Sequence, residues 1–143
     1  MNVVGLAAVT GPSFTREIAR TPECARLARE FLEQSIPNSP ILESARLIAS
    51  ELVTNAFQHG TGAIHISLTT SPLTANPESD VTLSVVNDFD PLAGTPNLAA
   101  AGQPGDLVER GRGMPIVESL SSQWGCEVSP SQLEVWARVT ATS

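Results

Sequence analysis

The chain has 143 residues, of which 41% are hydrophobic, and this predicts one globular domain able to bury about 70% of its unfolded surface. The formal net charge is −7 and every basic residue is an arginine, which argues against a nucleic-acid-binding or anionic-membrane-binding surface, because such surfaces need a basic patch. The two cysteines, Cys24 and Cys126, are too few for a disulfide framework and indicate a reducing compartment.

The chain begins with an apolar stretch, residues 1–9, that has no basic leading region and is too short to span a bilayer. We therefore predict a cytoplasmic protein in which residues 1–12 form either a flexible arm or an extra strand, paired within the domain or with a second subunit. A strand is predicted over residues 14–19. The sequence Thr21-Pro22-Glu23 then has the cap, the proline and the acidic residue of a helix start, and this helix ends before Ile36.

The longest predicted helix begins at Ser39-Pro40 and ends at Gly60. Ser39 can cap its start, and Gly60 stands where a left-handed residue often ends a helix. Apolar residues recur with a helical period, at Ile41, Leu42, Ala45, Ile48, Ala49, Leu52, Val53 and Ala56. Glu51 and Asn55 fall about 40° apart at the rim of this apolar arc, one turn from each other. A carboxylate and an amide placed in this way can reach one ligand, but a simple amphipathic helix would also have such a polar edge.

The second half of the chain alternates between apolar and polar residues, as strands do. Residues 64–69 and 81–85 predict an antiparallel hairpin with a long connecting loop. From 88 to 110 the periodicity stops, and a loop of this length between two candidate ligand-binding motifs favours a functional lid. A short helix from Met114 to Leu120 follows.

Two closing strands, Trp124–Val128 and Leu133–Val139, complete the predicted elements, and both Trp124 and Trp136 are expected in the core. Strands interleaved with three helices predict a single domain over residues 1–143 of the α/β (α+β) class. Its architecture would be a two-layer sandwich, in which helices cover one face of a mixed or antiparallel sheet.

Three short motifs occur in a fixed order: Glu51–Gly60 (ELVTNAFQHG), Val85–Pro91 (VVNDFDP) and Gly111–Val117 (GRGMPIV). Together they resemble the N, G1 and G2 boxes of the GHKL ATPase superfamily, which contains gyrase, histidine kinases and MutL. The resemblance is greatest to its small branch of anti-sigma-factor serine kinases, and it runs from about Phe14 to Val139. It implies the Bergerat-type ATP-binding fold, with ATP between the helices and the lid.

The resemblance implies roles for three polar residues. The amide oxygen of Asn55 would hold Mg²⁺, a hard ion that takes its other ligands from water and phosphate. Glu51 would act as general base, or would position the attacking group, in phosphoryl transfer. Asp88 would accept a hydrogen bond from the adenine amino group and repel the acceptor oxygen of guanine. The alternatives for these three residues are a solvated amide, a surface charge and a turn-forming aspartate.

The third motif would bind phosphate. Gly111 and Gly113 allow the backbone to approach an anion at the start of a helix, where the N–H groups and the helix dipole favour negative charge. Met114 opens that helix, and either Arg110 or Arg112 would neutralise the phosphate charge. A Gly-x-Gly pair on its own is usually a turn.

The second motif departs from the superfamily pattern. Most members have Asp-x-Gly-x-Gly where this chain has Asp88-Phe89-Asp90-Pro91. A glycine is therefore missing, and Asp90 adds negative charge close to the expected nucleotide.

The sequence thus predicts a cytoplasmic regulatory protein that binds ATP and Mg²⁺. By resemblance it would be a serine/threonine protein kinase that phosphorylates an antagonist protein or, in another state, binds a sigma factor; a homodimer is an option, whereas nucleic acid and membranes are not expected partners. The main alternative is a non-enzymatic module in which nucleotide gates protein binding. A third is a scaffold that no longer binds nucleotide. Glu51 favours the enzyme, because a pure binder does not need it, and the altered glycine motif favours the scaffold.

Overall fold

The computed structural model describes residues 13–71, 79–88 and 114–141, and these residues form five strands and three helices. In chain order the elements are β1 (Ser13–Ile18), α1 (Cys24–Ser35), α2 (Leu42–His59), β2 (Thr61–Thr70), β3 (Asp80–Asp88), α3 (Met114–Leu120), β4 (Gln123–Val128) and β5 (Gln132–Thr140). Each was predicted from the sequence to within about three residues of these bounds, a difference that is ordinary at the ends of elements.

The strands form one sheet in the order β1-β2-β3-β5-β4. Every neighbouring pair is antiparallel. Of the two predicted alternatives, a mixed sheet and an antiparallel sheet, the second is therefore the observed one. β2 and β3 form the predicted hairpin. β5 inserts between β3 and β4, so among the described strands the last one in the sequence is internal, and β1 and β4 are at the edges. This α+β architecture, with helices on one face of the sheet, confirms the predicted fold class.

The sheet has an apolar face, which packs against the helices, and a polar outer face. On β2 the side chains of Ile64, Ile66 and Leu68 are fully buried, whereas His65 and Ser67 between them are half-buried. This alternation follows from the pleat, which points successive side chains to opposite faces. Complete burial of one such aliphatic side chain stabilises the fold by about 1.5–3 kcal/mol, so the apolar face anchors the helices above it.

The predicted core position of Trp136 is wrong. Its neighbours on β5, Val135 and Ala137, are buried, so the pleat places the indole on the outer face, where it is half-buried. There it lies over Gly125 of β4, and a Cβ added to that glycine would come within 3.0 Å of the ring. Trp124 packs against the core, as expected.

Two long helices cover the apolar face and pack against each other. α1 buries residues at helical spacing, namely Cys24, Ala28, Phe31 and Leu32. Both helices begin two residues after the predicted first position. Their N-cap residues are Glu23 and Ile41, neither with a side-chain cap hydrogen bond, so the prediction of Thr21 and Ser39 as helix caps is wrong, and these side chains bond instead in the turns before the helices. The N–H of Glu23 donates to Oγ1 of Thr21 at 3.2 Å, and the N–H of Ile41 donates to Oγ of Ser39 at 3.1 Å.

Neither cysteine forms a disulfide. Burial raises the pKa of the Cys24 thiol and that of the Cys126 thiol. A raised pKa keeps a thiol protonated and unreactive, so the two cysteines act as small apolar side chains.

Two predicted segments lie outside the described residues: the arm at residues 1–12, and the lid at 88–110 except for Asp88. Among the helices that are described, none is both long and apolar enough to cross a membrane.

Candidate functional site

The second half of α2 carries the two polar residues of the first motif. Glu51 and Asn55 are four residues apart, about 6 Å along the helix axis, so their side chains lie on adjoining turns. Glu51 is half-buried, while Asn55 is only 7% exposed and lies deeper than the rim position predicted for it. A reachable carboxylate therefore stands beside a nearly buried amide.

Asp88 is the last residue of β3 and pairs with Thr61, near the end of α2. One carboxylate oxygen, Oδ1, accepts a hydrogen bond from Nε2 of Gln132 on β5 at 3.2 Å. Its backbone carbonyl accepts a hydrogen bond from Nδ2 of Asn87 at 2.7 Å, and Asn87 is itself only 3% exposed. The carboxylate is thus oriented from one side by Gln132, and the backbone behind it is fixed by a buried amide.

Two glycines make room for these side chains: Gly60, between α2 and β2, and Gly62, the second residue of β2. Gly62 has a left-handed backbone (φ +68°), and a Cβ there would lie 2.7 Å from Oδ2 of Asp88. Gly60 was predicted to be left-handed, but its backbone is extended (φ −111°, ψ −173°), so that prediction is wrong. What requires glycine at this position is space, because a Cβ would lie 1.6 Å from Nδ2 of Asn87.

Arg20, which follows β1, holds this corner together. Its guanidinium donates to the carbonyls of Gly62 (2.7 Å), Phe57 (2.9 Å) and Ala56 (3.2 Å). It thereby joins the last turn of α2 to the beginning of β2. Sequence analysis missed Arg20, because no local pattern connects it to a helix end more than thirty residues further along the chain.

An ion pair with two hydrogen bonds lies at the beginning of β3, the end of the strand opposite to Asp88. Arg138 donates from Nε and Nη2 to the two carboxylate oxygens of Asp80, at 2.9 and 2.7 Å. The hydrogen bonds from Arg138 lower the pKa of Asp80 below its ordinary value. Because Asp80 and Asp88 stand at opposite ends of one strand, Arg138 belongs to the framework and not to the candidate site.

The third motif is only partly within the described residues. Outside the described residues lie Arg110, Gly111, Arg112 and Gly113. Met114 is the first residue of α3, and only its backbone is described. α3 packs against α2 and buries Val117 completely. The segment that carries the third motif therefore leads directly into a helix attached to α2, the helix of Glu51 and Asn55.

Within residues 13–71, 79–88 and 114–141, no three His, Cys, Asp or Glu side chains come together as a metal site. Mg²⁺ is commonly bound by one or two protein oxygens together with water and phosphate oxygens. The side chain of Asn55 carries an amide oxygen, which is a hard donor atom.

A groove of about 220 Å³ opens on the outer side, by the turn between β4 and β5. It is lined by Val86, Glu127, Val128, Ser129, Gln132 and Glu134. Gln132 borders this groove and also bonds to Asp88. The groove does not include Glu51 or Asn55, so it is separate from the pair on α2.

Comparisons with known proteins agree with this architecture. The family model described as "Histidine kinase-like ATPase domain" matches residues 14–139, which is most of the chain. No curated protein matches the sequence.

A solved structure has the same fold. It contains the RsbU and RsbW domains of Rv1364c from Mycobacterium tuberculosis, and it aligns with a TM-score of 0.63 at 15% sequence identity. The alignment covers 90% of this chain and 32% of that one, so this chain corresponds to about a third of that protein's length.

Proposed function

The chain belongs to the histidine kinase-like ATPase domain family, and on that premise we propose that it is a cytoplasmic regulatory protein that binds ATP with Mg²⁺ and phosphorylates a partner protein. Membership of an ATPase family supports the binding of ATP. The proposed partners, an antagonist protein and a sigma factor, rest on the resemblance of the three motifs to anti-sigma-factor serine kinases. The fold shared with a chain that contains an RsbW domain is in keeping with this proposal.

The observation that carries the proposal is the pairing of Glu51 with Asn55 on adjoining turns of α2. The end of this helix is joined to β2, which pairs with the strand that carries Asp88. A base and a metal ligand would then stand together on α2 beside a bound nucleotide. Asp88, whose side chain lies on the face of the sheet that also carries Gln132, would meet the adenine from the end of β3. The half-buried position of Glu51 supports this proposal, because a carboxylate that is not fully buried can accept a proton from a partner's hydroxyl.

Asn55 would hold Mg²⁺ through its amide oxygen, and the ion, when bound, would supply positive charge to the phosphate oxygens. Oδ2 of Asp88 would accept the adenine amino hydrogen, since Oδ1 already accepts a hydrogen bond from Gln132. Gly111, Gly113 and Met114, with Arg110 or Arg112, remain the proposed phosphate contacts.

The proposed reaction moves one phosphoryl group. The serine or threonine hydroxyl oxygen of the partner forms a bond to the γ-phosphorus, while the bond from that phosphorus to the β–γ bridging oxygen breaks and ADP leaves. The hydroxyl proton passes to the carboxylate of Glu51. Such a general base contributes about 10²- to 10⁴-fold to the rate.

The test compares binding with transfer in three variants. Asn55→Ala should lose the Mg²⁺-dependent part of ATP binding, because the metal ligand is removed. Glu51→Ala should bind ATP like the parent but transfer labelled γ-phosphate to a candidate antagonist about 10²- to 10⁴-fold more slowly. Glu43→Ala is the matched control, because Glu43 is an exposed glutamate two turns earlier on α2. Titration calorimetry with ATP, ADP and GTP, with and without Mg²⁺, gives the affinities.

Three outcomes separate the alternatives. Transfer by Glu51→Ala at the parental rate would remove the kinase mechanism. A parent that binds ATP but phosphorylates no candidate partner would instead be the nucleotide-gated binding module. A folded parent that binds no ATP would be the scaffold suggested by the altered glycine motif.

A further inference from the structure

We propose that Arg20 is a positioning residue that keeps the metal-binding end and the base-reading end of the nucleotide site in register. It lies between β1 and α1, outside all three motifs. The proposal rests on the proposed nucleotide binding and extends it to a residue that touches no nucleotide. We call Arg20 and the three carbonyls it bonds, those of Ala56, Phe57 and Gly62, the Arg20 clamp.

One planar group makes all the contacts of the clamp. Nε donates to Gly62 at 2.7 Å, Nη1 to Phe57 at 2.9 Å and Nη2 to Ala56 at 3.2 Å. Because the nitrogens of a guanidinium are rigidly linked, the carbonyls they bond cannot move independently. The clamp therefore sets the position of the beginning of β2 relative to the last turn of α2.

The α2 side of the clamp begins directly after Asn55. The carbonyls of Ala56 and Phe57 belong to the last turn of the helix. That of Ala56 also accepts the N–H of Gly60 at 3.0 Å, whereas that of Phe57 lies where helical donors run out. A cation at this end also interacts favourably with the helix dipole. Arg20 thus holds the turn that follows Asn55, and without it that turn would be freer to fray.

The β2 side of the clamp lies against Asp88. Gly62 is the left-handed residue whose missing Cβ leaves room for Oδ2 of Asp88. Its neighbour Thr61 is the residue paired with Asp88 across the sheet, and Oγ1 of Thr61 is 3.4 Å from the Asp88 carbonyl. Movement of Gly62 would therefore move the surroundings of the carboxylate that is proposed to read adenine.

A distinctive phenotype follows from this geometry. Loss of Asn55 should affect mainly the dependence on Mg²⁺, and loss of the Asp88 charge should affect mainly the choice between ATP and GTP. Loss of the Arg20 clamp should weaken both together, because it supports both ends. General loss of stability would not change the ratio of two affinities measured on folded protein.

Arg46 provides a matched control. Its guanidinium also bridges two elements, since it pairs with Glu33 of α1 and Glu43 of α2, both at 3.1 Å. It lies nine residues before Asn55, about 13 Å along the helix, and so away from the proposed site. Arg20→Lys is the second comparison, because a lysine keeps the charge but has a single nitrogen that cannot reproduce the fork.

The experiment measures ATP and GTP affinity, with and without Mg²⁺, for the full-length parent, Arg20→Gln, Arg20→Lys and Arg46→Gln. Circular dichroism selects a temperature at which all of them are folded. Arg20→Gln should bind Mg²⁺·ATP about tenfold more weakly, the lower end of what is lost when the support of a metal ligand is removed. Two quantities should fall for this variant: the ratio of its ATP affinity to its GTP affinity, and the gain in ATP affinity when Mg²⁺ is added. Arg20→Lys should lie between it and the parent, and Arg46→Gln should match the parent.

The proposal is overturned if folded Arg20→Gln keeps the parental affinity and ratio, or if Arg46→Gln loses them equally. Should Arg20→Gln not fold, Arg20→Lys decides, with amide exchange at Gly60 to Gly62 as the measure of the clamp itself. A parent that binds no ATP overturns the proposed function and, with it, any positioning role for Arg20. A parent that binds ATP while both Arg20 variants behave like it overturns the positioning role alone.

Discussion

Replacing Gly60 by alanine tests the close contact between Asn87 and the corner that joins α2 to β2. The extended backbone of Gly60 is one that alanine adopts without strain, so backbone strain adds nothing to the effect. The added Cβ would lie 1.6 Å from Nδ2 and 2.6 Å from Cγ of Asn87. These separations are far below van der Waals contact, so the Asn87 side chain must move.

The magnitude follows from what that movement breaks. Overpacking a filled interior costs about 1–3 kcal/mol. Asn87 is 3% exposed, and leaving its amide without the Asp88 carbonyl costs about 1–3 kcal/mol more. The two penalties overlap, because a displaced amide relieves the clash, and the loss of glycine's freedom in the unfolded chain returns about 0.4–1 kcal/mol. We expect Gly60→Ala to lower the free energy of unfolding by about 2–4 kcal/mol.

The assay is urea unfolding followed by tryptophan fluorescence and circular dichroism, in a double-mutant cycle with Asn87→Ala. Once Asn87 is truncated, the remaining close neighbour of the new Cβ is the Ala56 carbonyl at 3.0 Å. The cost of Gly60→Ala should then fall below about 1 kcal/mol, which leaves a coupling energy of more than about 1 kcal/mol between the two sites. Equal costs in the two backgrounds, or a Gly60→Ala variant as stable as the parent, would refute the steric explanation.

Three further changes test the site and the framework. Asp88→Asn should weaken ATP binding roughly 10- to 150-fold, the value of a charge-assisted hydrogen bond, and should reduce the preference over GTP; equal parental affinities for ATP and GTP would remove the adenine-reading role. Gln132→Ala, which removes the exposed hydrogen bond to Oδ1 of Asp88, should shift the same two affinities less than Asp88→Asn does. Asp80→Asn should cost about 1–2 kcal/mol at neutral pH, since solvent screens the half-exposed Arg138. Arg138 lowers the pKa of Asp80 in the folded state, so this contribution is present above the unfolded pKa of about 4 and is lost as pH falls through the folded value. Urea unfolding at a series of pH values should therefore give free energies of unfolding for the parent and Asp80→Asn that converge in acid. A difference between the two free energies that does not depend on pH would contradict a role for the Asp80 charge.

Elements with a clear hydrophobic period could be predicted from the sequence, because burial imposes the period directly. The apolar repeat of α2 fixed both its length and the one-turn spacing of Glu51 and Asn55. The alternation of apolar and polar residues in β2 likewise predicted a strand of the hairpin and which of its side chains are buried. Even the position of Trp136 was readable in this way, since it is out of phase with Val135 and Ala137, and the prediction failed by treating an aromatic residue as core regardless of phase.

Contacts between distant parts of the chain could not be predicted. Gly60 has the position of a helix-ending glycine, yet the reason for glycine is Asn87, a residue 27 positions later whose buried amide occupies the space of a Cβ. The guanidinium of Arg20 donates to backbone carbonyls more than thirty residues further along the chain. Every residue has such a carbonyl, so the sequence does not show which ones will be bonded. The contact of Gly60 depends on the pairing of β2 with β3, and that of Arg20 on the pairing of β1 with β2, and only the folded sheet defines these pairings.

The internal position of β5 also determines the order in which the sheet can be completed during synthesis. β1, β2 and β3 are all made before residue 89, and they can pair as soon as they leave the ribosome. β3 must then wait for β5, its partner 44 or more residues later along the chain, as in the pairing of Asp88 with Gln132. Until then its free edge, with the apolar Val81, Leu83 and Val85, is open to pairing with other chains. A chain truncated before Gln132 should therefore aggregate far more than one truncated after Thr140, a difference that light scattering during cell-free synthesis would measure.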